Sequence, residues 1–183
     1  MKKMIISVLG KDRPGIIAAV TRILFELDCN IENVSQTILQ NEFSGIFIVS
    51  VPARLSEAAL HQQLETGLGA MGLHIFEKSL SDPGDTAGVA CDPFVITTKG
   101  PDQKGLVAAM TAIMADYQVN VTNLQAVFKG GDDPNANIMI YEVDIPNHAD
   151  QLALRQALRE KARALSLDIS IQHKLIFEAI NRV

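Results

Sequence analysis

The chain repeats itself at an offset of 90 residues, so that Gly10 to Asn33 falls on Gly100 to Asn123 without a gap. The windows GKDRPGIIAAVTRILFELDCNIEN and GPDQKGLVAAMTAIMADYQVNVTN agree at 9 of 24 positions, and most of the other apolar positions are conservative, such as Ile16/Leu106, Ile17/Val107 and Ile31/Val121. A solenoid repeats every 20–45 residues or so; a period near 90 is the size of a small domain. The 183 residues therefore hold one ancestral domain used twice. Ser81 to Pro93 reads SDPGDTAGVACDP, and its prolines, glycines and aspartates mark a boundary. The expected organisation is a first domain at 1–80, a linker at 81–92, a second domain at 93–174 and a C-terminal tail at 175–183.

Each half reads the same way. Ile5, Ile6, Val8 and Leu9, and likewise Phe94 to Thr97, are strand-like and stop at a glycine turn. Ile17, Val20, Leu24 and Leu27 then recur at spacings of three and four, as do Val107, Met110, Met114 and Tyr117, which predicts a helix. Pro14 suits a first helical turn, where its missing N–H costs nothing. Two strands follow, Asn30–Leu39 with Phe43–Val51, and Asn120–Phe128 with Asn137–Ile145; a tight turn joins the first pair and a loop at Lys129–Ala136 the second. A second helix, from about Ser56 or Asp150, and a last strand, from Leu73 or Leu167, close each half. The order is β-α-β-β-α-β, an α+β ferredoxin-like arrangement: two domains in tandem, each with helices on one face of an antiparallel sheet. The other sheet face must be covered by something.

Composition narrows the function. Lys+Arg 16 against Asp+Glu 21 gives a net charge of −5, and no Lys/Arg-rich run offers a grip on phosphates, so no direct nucleic-acid binding is expected. Cys29 and Cys91 are too few for a disulfide framework or a zinc site. The apolar run Met4–Leu9, broken by Ser7, is shorter than a signal-peptide core or a membrane span, and the expected location is the cytoplasm, with no membrane partner. His61, His74, His148 and His173 have no metal-ligand spacing, and neither a nucleophile turn nor a Walker A loop is present. No catalytic residue, metal or cofactor is expected. Arg155, Arg159 and Arg163 form a basic stripe, read as a solvated helix face because Glu160 interrupts it.

A strand, then Gly10-Lys11-Asp12-Arg13-Pro14-Gly15-Ile16, then a helix ending before Cys29-Asn30-Ile31, resembles the ACT domain, the small-molecule sensing module of amino-acid metabolism. The resemblance covers both copies, although Gln103-Lys104 replaces Arg13-Pro14 in the second. A chain of this size with two such domains is similar to the glycine cleavage system transcriptional repressor family. That resemblance implies a non-catalytic, amino-acid-sensing regulator acting through a transcription-factor protein. A regulatory subunit or adaptor of a metabolic enzyme is the alternative, and self-association stays open.

The turn before the first helix carries the candidate site. A helix N-terminus offers unpaired N–H groups and a positive dipole end to a ligand carboxylate. The site residues are Gly10, Asp12, Arg13, Pro14 and Gly15, with Asn30 and Ile31 expected to close it from the next strand; Asp12 or the Asn30 amide would meet an ammonium. The ligand class is a small amino acid, glycine among the candidates. The second copy offers Asp102, Gly105, Asn120 and Val121 and is expected to bind more weakly. An alternative stays open: Asp12 caps the helix and the glycines only shape the turn. Asn30 and Asn120 also fit a left-handed turn residue, and Asn33 and Asn123 an interface contact.

Overall fold

The computed structural model describes residues 2–80, 89–128 and 137–181. The loop at 129–136 and residues 81–88 of the expected linker lie outside the described residues. Two compact units divide the chain, Met1–Thr86 and Ala87–Val183.

The first unit contains β1 (Lys2–Lys11), α1 (Ile16–Glu26), β2 (Asn30–Leu39), β3 (Glu42–Val51), α2 (Glu57–Gly69) and β4 (His74–Ser79). Its sheet has the order β2-β3-β1-β4, every neighbouring pair being antiparallel. The second unit repeats this with β5 (Cys91–Gly100), α3 (Leu106–Asp116), β6 (Asn120–Phe128), β7 (Asn137–Pro146), α4 (Gln151–Ala164) and β8 (Asp168–His173), in the order β6-β7-β5-β8. The chain is thus two ferredoxin-like βαββαβ domains in tandem. Cys91 and Asp92, expected in the linker, already belong to β5.

The core lies between sheet and helices in each unit. Alternation along β1 buries Met4, Ile6 and Val8, and β3 adds Phe43, Phe47, Val49 and Val51. Ile16, Val20 and Leu24 from α1 and Leu60, Leu64 and Leu68 from α2 meet them in rows four residues apart. Burying one such leucine contributes about 1.5–3 kcal/mol. The buried stripe of α1 starts one residue earlier than the periodicity predicts: Ile16 is buried and Ile17 stays 36% exposed. In α3 the buried row is Leu106, Met110 and Met114.

The helix ends also differ from expectation. Pro14 lies in the turn two residues before α1, not in its first turn. Gly15 is the N-cap, with φ 96° in the left-handed region, and Gly105 repeats this at φ 87°. No side chain caps α1 or α3, so Asp12 is not a helix cap. True caps serve the other helices: Ser56 accepts from the Ala59 N–H, and Asp150 from those of Leu152 and Ala153. The left-handed residues after α1 and α3 are Asp28 (φ 61°) and Gln118 (φ 58°), while Asn30 and Asn120 are simply the first residues of their strands.

Both β2 and β6 carry a bulge, between Ile31 and Asn33 and between Val121 and Asn123. The extra residues are Glu32 and Thr122; Asn33 and Asn123 directly follow them and rejoin the ladder opposite Ile48 and Glu142. Asn123 donates from Nδ2 to Glu142 Oε1 at 2.9 Å, a contact inside its own sheet. At the end of the chain, where a tail was expected, α5 (Lys174–Asn181) follows β8 directly.

Candidate functional site

The turn before α1 borders a cleft of about 230 Å³. Its walls are Asp12, Arg13 and Gly15 from the turn, Ile16, Ile17 and Ala18 from the first turn of α1, and Gln36, Ile38 and Phe43 from β2 and β3. The Asp12 N–H donates to the Asn41 carbonyl at 2.8 Å, which ties the turn to the β2–β3 hairpin. The first intrahelical bond is Ala19 N–H to Gly15 O at 2.9 Å. The N–H groups of Ile16, Ile17 and Ala18 precede it and have no intrahelical acceptor. Gly15 has open space where a Cβ would stand, so its role is conformational: the turn needs φ 96°. Among the described residues the Asp12 carboxylate accepts no hydrogen bond. The cleft therefore places an acceptor, a guanidinium and orphan N–H donors beside the apolar side chains of Ile17, Ile38 and Phe43.

Of the expected residues of the first site, Gly10, Pro14, Asn30 and Ile31 do not line this cleft. Asn30 and Ile31 begin β2, where Asn30 stands opposite Ser50, while Leu39 at the other end stands opposite Glu42. On β1 those partners are Lys3 and Lys11. Eight strand residues, about 27 Å, separate the two ends. The physical reason is direct: α1 carries the chain away from the turn, so the next strand starts far from it and returns only at Gln36 and Ile38. Asn120 and Val121 begin β6 in the same way and stand away from Asp102. Gly10 does not face the cleft. A Cβ there would come within 2.8 Å of Leu73 Cδ2 and 3.0 Å of the Gly72 carbonyl, so glycine lets β1 pass the start of β4. Pro14 is exposed in the turn. Gln36, Ile38 and Phe43 were missed, and a helix-length argument was the signal that could have found them.

Asn30 and Ile31 line a different, broad groove of about 580 Å³ along α1, with Arg22, Phe25 and Cys29. It is larger than the turn cleft and shares Ala18 with it, but no acidic residue lines it. Cys29 is half-buried, and burial, with the Asp28 charge beside it, pushes its thiol pKa up.

The second copy has closed its turn on itself. Asp102 Oδ1 accepts from Asn137 Nδ2 at 3.2 Å, and Gln103 Nε2 donates to the Leu165 carbonyl at 2.8 Å. Gly100 repeats the packing role of Gly10 against Leu167.

Other charged groups are structural. Glu32, on the bulge of β2, pairs with Lys3 at 2.8 Å and accepts from Ser50; both contacts hold its pKa below the usual carboxylate value. Glu142 pairs with Lys174 at 2.6 Å and accepts from Asn123, with the same effect. The four histidines stay separate; His61 Nδ1 lies 2.8 Å from Glu77 Oε2. No group of three or more His, Cys, Asp or Glu among the described residues could hold a metal ion. The Arg155 guanidinium lies 5.0 Å above the Phe94 ring, and Arg159 and Arg163 are exposed. No described helix is long and apolar enough to cross a membrane.

Comparison with known proteins bears on the family and the fold. A family model for the ACT domain matches residues 2–77 and again 92–172. A UPF0237 protein of Methanocaldococcus jannaschii is 36% identical over 76 residues, which span 41% of this chain and 84% of the relative. A UPF0237 protein of Streptococcus mutans is 40% identical over 63 residues, 34% of this chain and 72% of the relative. Each resembles one copy of the repeat. Among solved structures, an unknown protein from Galdieria sulphuraria superposes with a TM-score of 0.78 at 23% identity, over 94% of this chain and 98% of its own. A candidate glycine cleavage system transcriptional repressor superposes with a TM-score of 0.64 at 22% identity, over 93% and 96%. At such identities the two structures share the tandem fold.

Proposed function

The chain belongs to the ACT domain family of small-molecule-sensing regulatory modules, and from that premise we propose that it is a non-catalytic sensor of a small amino acid. The observation that carries this reading is the difference between the two turns. Asp12 presents a free carboxylate beside three orphan N–H groups, whereas Asp102 is held by Asn137. A zwitterion fits the first turn: its carboxylate takes the N–H groups at the positive end of α1, and Asp12 takes its ammonium. The cleft of about 230 Å³ lies below the roughly 300–1,000 Å³ of clefts that hold drug-sized ligands, in keeping with a small ligand with a short apolar side chain. The regulated process we propose is transcription of amino-acid metabolism, glycine cleavage in particular, in the cytoplasm. It would act through contact with a transcription-factor protein, as the sequence resemblance implies. Ligand binding would bias that contact by about 1–3 kcal/mol, the usual size of coupling between sites.

Isothermal calorimetry against the common amino acids tests the site. Loss of a hydrogen bond to a charged group costs about 1.5–3 kcal/mol, so Asp12→Ala should weaken binding by about 10- to 100-fold. Asp102→Ala and Asn30→Ala should leave affinity unchanged, since neither residue faces the cleft. If Asp12→Ala binds like the wild type, the site lies elsewhere; if no amino acid binds at millimolar concentration, the sensor reading fails.

A further inference from the structure

Arg155, Arg159 and Arg163 follow one another at every fourth residue of α4 and so form one row along the helix, about 6 Å from each to the next. With Leu152, Gln156 and Glu160 they line a groove of about 340 Å³. Glu160 does not break the row, as the sequence suggested: its Oε1 accepts from Gln156 Nε2 at 2.9 Å. Among the described residues none of the three arginines forms an ion pair. Arg155 is held in place by stacking 5.0 Å above the Phe94 ring. Arg159 and Arg163 are exposed, and Leu152, at the start of the row, is 78% exposed.

The fold does not require this row. In the first unit α2 packs in the same way: Ser56 aligns with the cap Asp150, and Leu60, Leu64 and Leu68 with the buried Leu154, Leu158 and Ala162, at a constant offset of 94. At that offset the arginine positions hold His61, Glu65 and Gly69. The helix does not require the row either. Like charges four residues apart destabilise a helix. Only Arg163, in the last turn, gains from the negative end of the dipole. A row of cations that weakens its own helix, in one copy of the repeat and in a chain of net charge −5, breaks a local rule without a gain inside the chain.

We infer that this face of α4 receives an acidic, amphipathic helix of a partner protein. Charge complementarity and spacing select that occupant. Carboxylates at every fourth residue of a helix have the same pitch of about 6 Å as the arginines, and a guanidinium meets a carboxylate through two parallel N–H bonds. Leu152 gives an apolar side chain of the incoming helix a contact at the end of the row. A nucleic acid fits less well, because the Glu160 carboxylate lines the groove and Leu152 offers nothing to a phosphate backbone. This face would serve the protein contact proposed above, and its assignment rests on that reading for a protein partner to exist. The turn cleft takes no part in it.

Fluorescence anisotropy of the full chain, in the absence of amino acids, tests the face with a labelled helical peptide of about 15 residues. The peptide carries glutamate at every fourth position with leucine beside it; the same peptide with lysine for glutamate and a short DNA duplex are the comparisons. The acidic peptide should bind at low salt with a Kd below about 100 μM and more tightly than either comparison. Arg159→Glu should weaken it at least about tenfold, whereas Arg22→Glu, the same change of charge on exposed α1, should stay within about twofold. Arg159→Gln should bind more weakly yet melt no lower than wild type, because it relieves two like-charge contacts. No binding of the acidic peptide at about 1 mM overturns the inference. So does tighter binding of the DNA, an equal loss in Arg22→Glu, or an Arg159→Gln variant that melts below wild type and so makes the row structural. Because the peptide is titrated without amino acids, a failure of the sensor reading in calorimetry is a separate result.

Discussion

Gly10 and Gly15 stand five residues apart, yet the structure predicts opposite responses to the same pair of substitutions. At Gly15 nothing lies within 4 Å of a built Cβ, but φ is 96°. Alanine there meets only backbone strain, about 1–2 kcal/mol for an L-residue in the left-handed region. Asparagine tolerates that region better and should recover part of the loss. At Gly10 φ is unexceptional, but the Cβ would press on Leu73 Cδ2 at 2.8 Å and on the Gly72 carbonyl at 3.0 Å. The carbonyl belongs to the backbone and cannot rotate away, so overpacking costs about 1–3 kcal/mol, and the larger asparagine costs more than alanine. For a unit of this size 1 kcal/mol lowers the melting temperature by about 4–8 °C. Gly15→Ala should therefore melt about 5–15 °C below wild type, with Gly15→Asn in between. Gly10→Asn should melt below Gly10→Ala. Urea titration, followed by far-UV circular dichroism, gives the same ranking as free energies. If Gly15→Asn is as destabilised as Gly15→Ala, or if Gly10→Ala is neutral, the division into conformational and packing glycines is wrong.

The remaining predictions concern capping and pH. Asp150→Ala removes the acceptor for the Leu152 and Ala153 N–H groups and should cost the second unit about 1 kcal/mol in urea unfolding, whereas Asp12→Ala, which caps nothing, should change stability by less than about 0.5 kcal/mol. The His61 pKa is raised by its hydrogen bond to Glu77 and by the charges of Glu77 and Glu65. A raised folded-state pKa means stability that is fully present below the unfolded value near 6.5 and is lost as pH rises through the folded value. The first unit should thus melt lower at pH near 8.5 than near 6, and His61→Gln should flatten that difference, as differential scanning calorimetry would show. Glu32 and Glu142 act with the opposite sign: their lowered pKa values give stability present above about 4.5 and lost in acid, so Lys174→Met should shrink the acid-sensitive part of the second unit's stability.

The tandem architecture was legible because the repeat is gapless through the turn and first helix, and because glycine and proline punctuate each element where backbone geometry demands it. The β-α-β-β-α-β order of elements along each half was legible from the change of hydrophobic period between strands and helices. What escaped was geometry that spacing does not carry. Asn30 looked close to Asp12 because both flank α1, but they flank opposite ends of it. Gln36 and Ile38 carried no signal of their own, being exposed residues of an edge strand. The self-closure of the second turn depends on Asn137, which is 35 residues from Asp102 and looks in sequence like an ordinary strand start. The helix α5 is eight residues long, too short to stand alone in water, and forms because the sheet face beneath it needs covering.

The bulge in β2 acts on the cleft as a matter of parity. Before it, Ile31 faces the helices opposite Val49; after it, the even-numbered Val34, Gln36 and Ile38 face them, opposite Phe47, Gly45 and Phe43. Without the extra residue the odd positions would keep that side, and Ser35 and Thr37 would stand where Gln36 and Ile38 now wall the cleft. The composition of the cleft wall is thus set by an insertion about five residues upstream, at a point that touches no part of the cleft. An insertion or deletion of one residue between Glu32 and Gln36 would exchange the wall for the opposite face of the strand, whereas two residues would restore its facing and shift it along the strand by one pleat repeat.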